Sequence, residues 1–304
     1  VSEDDGAVYW RGWGSTMSTK LTVLQSTQDA SVNFVTPTEN GFFESRFVRR
    51  DEDYIICYLS SHDGCNRGCR MCHLTATGQT SMHSATLDDY HAQAEAVLNH
   101  YEKLTAREGR DRYVNFNFMA RGEPLVNKTL LEEAPRLFTM LTKQAKRRDL
   151  LARFNISTIM PRTFKGDLVS LFYPFAPTIY YSFYSTFTQF REKWLPNAMP
   201  YDQALRLLND YQAFTKKIIK VHHALIAGEN DSEWDQNQVG TVTVDYWDLA
   251  VEFNLVRFNS PTSEYVEANE AAYERAAATL RSYGKVQIVR RVGFDVKASC
   301  GMFI

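Results

Sequence analysis

Three cysteines, Cys65, Cys69 and Cys72, sit in one short stretch, Cys65-Asn66-Arg67-Gly68-Cys69-Arg70-Met71-Cys72. Thiolates are natural ligands for iron in iron–sulfur clusters and for zinc. A structural zinc wants four protein ligands, and iron–sulfur clusters usually take four cysteines. Here the local set stops at three. Three thiolates on one loop would hold three irons of a four-iron cluster and leave the fourth open to a substrate or cofactor. Two other chemistries fit the spacing: a zinc knuckle completed by His62 or His73, and unrelated buried thiols.

The chain around this loop has 304 residues, 44% hydrophobic and 13% aromatic, enough for a large core. The formal charge is −2, so any binding of nucleic acid rests on local basic patches. Candidates are Lys143, Lys146, Arg147 and Arg148; Lys216, Lys217 and Lys220; and Arg290 with Arg291. Each is equally readable as a solvated helix face or strand end. The five cysteines, Cys57, Cys65, Cys69, Cys72 and Cys300, are odd in number and clustered, unlike a disulfide framework. The first residues are polar and acidic, and no apolar run is long enough to span a bilayer. A reducing, cytoplasmic setting without a membrane is expected.

Strand-like patterns over 21–24, 31–35 and 42–49 predict a small antiparallel extension, residues 1–50. Residues 53–59 then form an apolar strand that leads into the cysteine loop. Beyond it, strands at 113–119, 152–159, 178–183, 218–226, 255–258 and 286–289 alternate with helices at 86–105, 130–146, 164–172, 201–214, 244–253 and 268–283. Thr86 and Asp89 form a capping box for the first helix. Strand–helix alternation of this kind predicts parallel βα units through 51–304. In such folds ligands gather at the carboxyl ends of the strands. The cysteine loop, Gly122-Glu123-Pro124, Ser157, Ser182 and Asn259 all fall at those ends.

On these residues the chain resembles the radical S-adenosylmethionine superfamily. The motifs Ser60-Ser61-His62-Asp63-Gly64-Cys65, Ala76-Thr77-Gly78 and Phe118-Met119-Ala120-Arg121-Gly122-Glu123-Pro124-Leu125-Val126-Asn127 resemble those of the RlmN/Cfr methylases in particular. Asn230-Asp231-Ser232, Arg257-Phe258-Asn259-Ser260-Pro261 and Ala298-Ser299-Cys300-Gly301 follow in the same order, so the resemblance spans about residues 40–302. It implies an α/β fold with a partial (β/α)6 parallel barrel, and a [4Fe–4S] cluster on Cys65, Cys69 and Cys72. S-adenosyl-L-methionine would chelate the open iron, and one electron would cleave it to methionine and a 5′-deoxyadenosyl radical.

Glu123 would accept from the ammonium of that cofactor, a charge-assisted pair beside Gly122. Ser157, Ser182, Tyr184 and Asn259 would hold its ribose or carboxylate. The resemblance further implies that Cys300 is methylated and carries the methyl carbon to carbon 2 or 8 of an adenine in a nucleic acid, RNA above all. A thiolate is a strong nucleophile suited to that task. A flavodoxin or ferredoxin would supply electrons. The alternatives are a radical enzyme that uses no methyl-cysteine, and a non-catalytic protein that keeps the cluster.

Several positions depart from the family pattern. Its resolving cysteine lies two residues before Ser60-Ser61, where this chain has Tyr58. Cys57 is one residue away, and one residue in a strand reverses the face. Either a bulge re-aims Cys57, or the adduct is resolved otherwise, or the enzyme follows another route. His73-Leu74-Thr75 are extra, Met71 replaces an aromatic, and Tyr184 stands where the family has histidine. The family's N-terminal helical domain is replaced by other sequence, which points away from ribosomal RNA.

Overall fold

The computed structural model describes residues 8–9, 20–108 and 111–304. One eleven-stranded sheet runs in sequential order: β1 (Val8–Tyr9), β2 (Lys20–Gln25), β3 (Val32–Pro37), β4 (Phe42–Arg49), β5 (Tyr54–Tyr58), β6 (Tyr113–Phe118), β7 (Leu151–Thr158), β8 (Thr178–Tyr181), β9 (Ile219–Ala224), β10 (Val251–Val256) and β11 (Lys285–Val289). Strands β1 to β5 pair antiparallel, and β5 to β11 pair parallel. The sheet curls into an α/β partial barrel that does not close, as the repeated βα pattern predicts.

Period-two alternation sorts the two faces. Outward residues such as Ile55, Phe116, Ile156, Ile179 and Leu255 join the main core under the helices. That core is built on stacked aromatics; Phe138 lies 4.4 Å from Phe154 and 5.7 Å from Phe118. Inward residues such as Tyr58, Asn117, Asn155, Tyr180 and His222 line a cavity of about 190 Å³ inside the barrel. The helix Leu87–Glu108 begins at the expected box: Asp89 accepts from the Thr86 amide at 2.8 Å, and the Asp89 amide donates to the Thr86 hydroxyl at 3.2 Å.

One expected helix is misplaced. Residues 244–253 are not helical throughout: the helix is Glu233–Gly240, continued by a π-helical stretch Thr241–Tyr246, and β10 already begins at Val251. Ser232 caps its start, accepting from the Asp235 amide at 3.1 Å. Asp248, with φ 50°, turns the chain into the strand. A further helix, Thr188–Trp194, was not expected; it buries Phe190 and Trp194 beneath the rim.

Candidate functional site

The carboxyl ends of the strands carry the site. Loop 65–72 leaves β5 by way of Ser60 and Ser61, which are buried and fixed to β4, β6 and the first long helix. The Ser60 hydroxyl donates to the Glu44 carbonyl at 2.6 Å, and the Ser60 amide donates to Gln93 at 2.7 Å. The Ser61 amide donates to the Arg121 carbonyl at 2.8 Å. The loop closes on itself where the Cys72 amide donates to the Cys69 carbonyl at 3.1 Å.

Burial pushes the thiols of Cys65 and Cys72 up, to about 12 and about 11, and that of Cys69 well above its usual range. Their own mutual repulsion adds to this for Cys65 and Cys69. Thiols that oppose ionisation in this way are a donor set that a positively charged metal group would relieve. The His62 ring meets the Ser61 hydroxyl through Nδ1 at 3.0 Å, and burial lowers its pKa to about 4, with the Val126 backbone opposing. Among the described residues, no three His, Cys, Asp or Glu side chains group as they would around a single ion.

Glu123 follows β6 on the same rim. Its carboxylate accepts from the Leu125 amide and from the Ile159 amide, each at 3.1 Å, and so ties the ends of β6 and β7 together. Burial nevertheless raises its pKa to about 7, with these bonds and Thr158 only partly opposing. The carboxylate is thus under-compensated by the protein, a state that a cationic ligand would correct. Gly122 makes this approach possible. Its φ is 91°, and a Cβ there would lie 2.6 Å from His62 Nδ1 and 2.8 Å from the His62 amide nitrogen. Gly122→Ala is expected to cost at least ~2 kcal/mol, from strain and the clash with backbone. Denaturant unfolding would measure it, and a neutral result would mean that the turn is not as described.

Asn259, just past β10, is buried and donates to the Ser299 hydroxyl at 3.2 Å and to the Cys300 carbonyl at 2.8 Å. Its Oδ1 is buried without a partner among the described residues. Tyr184, with φ 63°, packs 6.3 Å from Phe190; burial raises its phenol well up, and the thiols of Cys300, Cys69 and Cys72 add to that. Ser157 lines the cavity. The Ser182 amide extends the β7–β8 ladder, donating to Thr158 at 2.9 Å.

Cys300 stands on the cavity wall, accessible within it although protein surrounds it. Burial raises its thiol pKa, while Arg46 and Arg50 pull it down. Its tail docks directly on the cysteine loop, where the His73 amide donates to the Gly301 carbonyl at 3.0 Å. The three-residue insertion that begins at His73 is therefore part of the tail's seat.

Sequence reasoning missed what holds that tail. Glu44 is fully buried between Arg46 (2.9 Å) and Arg121 (2.7 Å). Arg46 also donates to the Met302 carbonyl at 2.7 Å, and the Ile304 amide donates to Glu44 at 3.0 Å. Asn33 bridges Glu44 (2.9 Å) and the Val296 carbonyl (3.1 Å). The only available signal was Glu44 and Arg46 two apart in a strand, hence on one face.

Cys57 is the correction. The ladders on both sides of β5 run without a bulge, Cys57 opposite Phe47 and Phe116, Tyr58 opposite Arg46 and Asn117. Tyr58 therefore faces the cavity, and Cys57 is wholly buried in the helix-side core. Burial raises its thiol far above the usual range. Cys57→Ala is expected to cost about 1 kcal/mol as a small core deletion and to leave turnover unchanged. A turnover defect larger than the stability loss would put Cys57 back in the chemistry.

No family profile matches the chain. It is 25% identical over 301 residues to the ribosomal RNA large subunit methyltransferase Cfr of Staphylococcus aureus, covering 94% of this chain and 79% of that protein. It is 27% identical over 287 residues to a probable dual-specificity RNA methyltransferase RlmN of Thermus thermophilus, covering 90% and 74%. The first match is wider than residues 40–302 and takes in part of the antiparallel extension. Among solved structures, a radical SAM methyltransferase from Sphaerobacter thermophilus shares the fold, with a TM-score of 0.76 at 20% identity over 94% of this chain and 81% of that one.

Proposed function

Proceeding from a chain that is an RlmN/Cfr-like radical S-adenosylmethionine methyltransferase in sequence and fold, we propose that it methylates carbon 2 or carbon 8 of an adenine in RNA through a methylated Cys300. Cys65, Cys69 and Cys72 would hold a [4Fe–4S] cluster. When bound, the cluster supplies the electron that cleaves S-adenosyl-L-methionine, replenished by a donor such as flavodoxin or ferredoxin. Glu123 takes the cofactor's ammonium, and Gly122 lets the turn that carries Glu123 pack against His62. Ser157, Ser182, Tyr184 and the free Oδ1 of Asn259 meet its remaining polar groups. The proposed setting is the cytoplasm; among the described residues no helix is long and apolar enough to cross a membrane.

The protein's own part centres on Cys300. Its sulfur gives up a proton, takes the methyl group of one S-adenosyl-L-methionine with release of S-adenosylhomocysteine, and presents that carbon to the base in the cavity. Arg46 and Arg50 favour the thiolate that the first step needs. The observation that carries this reading is the docking of the Cys300 tail against the cysteine loop at the cavity wall. Reduced, iron-reconstituted protein incubated with S-adenosyl-L-methionine and host RNA should release 5′-deoxyadenosine and leave a methyladenine in the digested RNA. Neither product appearing would sink the proposal.

One observation favours a second reading. With Cys57 in the core, Cys300 is the only cysteine bordering the cavity among the described residues, so no second thiol of the chain is at hand to break a thioether there. A radical enzyme that never forms a methyl-cysteine would release 5′-deoxyadenosine and leave Cys300 unmodified.

A further inference from the structure

The cavity wall beside Cys300 carries five arginines, Arg46, Arg50, Arg257, Arg290 and Arg291, and no carboxylate. Three of them pair with carboxylates outside the cavity: Arg46 with Glu44 at 2.9 Å, which it shares with Arg121, Arg257 with Glu270 at 2.8 Å and Arg291 with Glu267 at 2.9 Å. Arg50 and Arg290 have no carboxylate partner among the described residues. The other basic clusters of the sequence are partly committed, with Arg148 held by Glu95 at 2.8 Å and Lys220 held by Glu252.

Arg50 and Arg290 occupy a particular place. Arg50 follows β4, an interior strand of the sheet, and Arg290 follows β11, its last strand. The Arg50 guanidinium donates to the Arg290 carbonyl and so brings the two cations together. Its charge is felt by Cys300, Tyr180 and His222, all on the cavity wall. His222 Nδ1 is buried there without a partner among the described residues. The remaining lining is rich in uncharged amides and phenols, including Asn115, Asn155 and Tyr58. Two cations without carboxylate partners on the wall of a hydrogen-bonding chamber fit a ligand with a neutral heterocyclic end and an anionic end. Guanidinium suits the anionic end if it is a phosphate, which it grips with paired donors.

We propose that Arg50 and Arg290 form a phosphate-binding pair on the cavity wall, holding a phosphate of the nucleotide whose base is presented to Cys300. The identification of the ligand as a nucleotide rests on the function proposed above; the anion site itself does not. The phosphate is either a diester within an RNA strand or the monoester of a free nucleotide.

The test uses the full chain with its cluster reconstituted. Binding of a labelled short oligoadenylate, of adenosine 5′-monophosphate, of adenosine and of S-adenosyl-L-methionine is measured for the parent protein, Arg50→Gln, Arg290→Gln and the double variant. The double variant should bind the oligoadenylate at least tenfold more weakly, with adenosine affinity unchanged. The slope of log affinity against log salt should fall by about 0.7 for each arginine removed. Loss for the oligoadenylate alone identifies a strand phosphate, and loss for the monophosphate as well identifies a free nucleotide; both support the pair. Arg50→Lys, which keeps the charge, should recover part of the affinity and thereby exclude misfolding as the cause. Unchanged oligoadenylate and monophosphate binding, an equal loss for adenosine, or a loss confined to S-adenosyl-L-methionine would each overturn the assignment. Intact phosphate binding by a protein that never methylates RNA would sink the proposed reaction and leave this site standing.

Discussion

Cys300→Ala should lower methyl transfer by roughly 10³-fold or more, the scale on which removing a covalent nucleophile acts, and should leave the iron content unchanged. The separation of the two effects follows from how the tail is held. Asn259 donates to the carbonyl of residue 300, and the His73 amide donates to the carbonyl of residue 301. Both are backbone contacts that alanine keeps. The proposed cluster ligands come from a loop closed by its own backbone and anchored through Ser60 and Ser61. Deleting one sulfur on the cavity wall therefore removes the proposed methyl carrier without disturbing its seat. Mass spectrometry of the parent protein after incubation with S-adenosyl-L-methionine should show one added methyl on Cys300, and an unmodified residue would favour the second reading. Loss of iron together with activity in Cys300→Ala would instead make Cys300 a ligand or a structural residue.

The residues that could be assigned to the rim before any coordinates share one property: their roles depend on near neighbours in the chain. Cys65, Cys69 and Cys72 lie in one loop, and Gly122-Glu123-Pro124 needs only the end of β6. Period-two alternation already placed Cys57 and Tyr58 on opposite faces, and the regular ladders keep them there. The displaced helix shows where local periodicity fails. A π-helical stretch at Thr241–Tyr246 bonds at a longer interval than the α-helix, which blurs a 3.6-residue pattern. The following apolar run is β10, which alternates, and only the left-handed turn at Asp248 separates the two. The tail clamp was hidden for a different reason. It joins Glu44 and Arg46 to Arg121 and to residues 302 and 304, and no local pattern announces a contact over 260 residues of separation.

That clamp yields the second large effect. Glu44→Ala is expected to destabilise the protein by about 3–5 kcal/mol, because it leaves Arg46 and Arg121 as buried, uncompensated charges. It also removes the acceptor for the Ile304 amide and for the Asn33 side chain. Both guanidiniums lie against the Phe303 ring, at 4.8 Å and 5.7 Å, so the tail's packing depends on their position as well as their charge. Glu44→Gln keeps the shape and one acceptor and should cost less. The pH dependence has a definite sign. Burial alone would raise the Glu44 pKa, but Arg46 and Arg121 outweigh it and hold it below its ordinary value of 4.5. A carboxylate depressed in the folded state contributes stability that is fully present above its unfolded value and is lost as pH falls through the folded one. The deficit of Glu44→Ala relative to the parent should therefore be constant near neutrality and shrink only below about pH 4.5, the unfolded value. Denaturant unfolding of both proteins between pH 3 and pH 8 would measure this. A gap that narrows toward alkaline pH, or a loss within the ordinary range for a surface pair, about 0–1 kcal/mol, would mean that Glu44 is not the buried anchor of the catalytic tail.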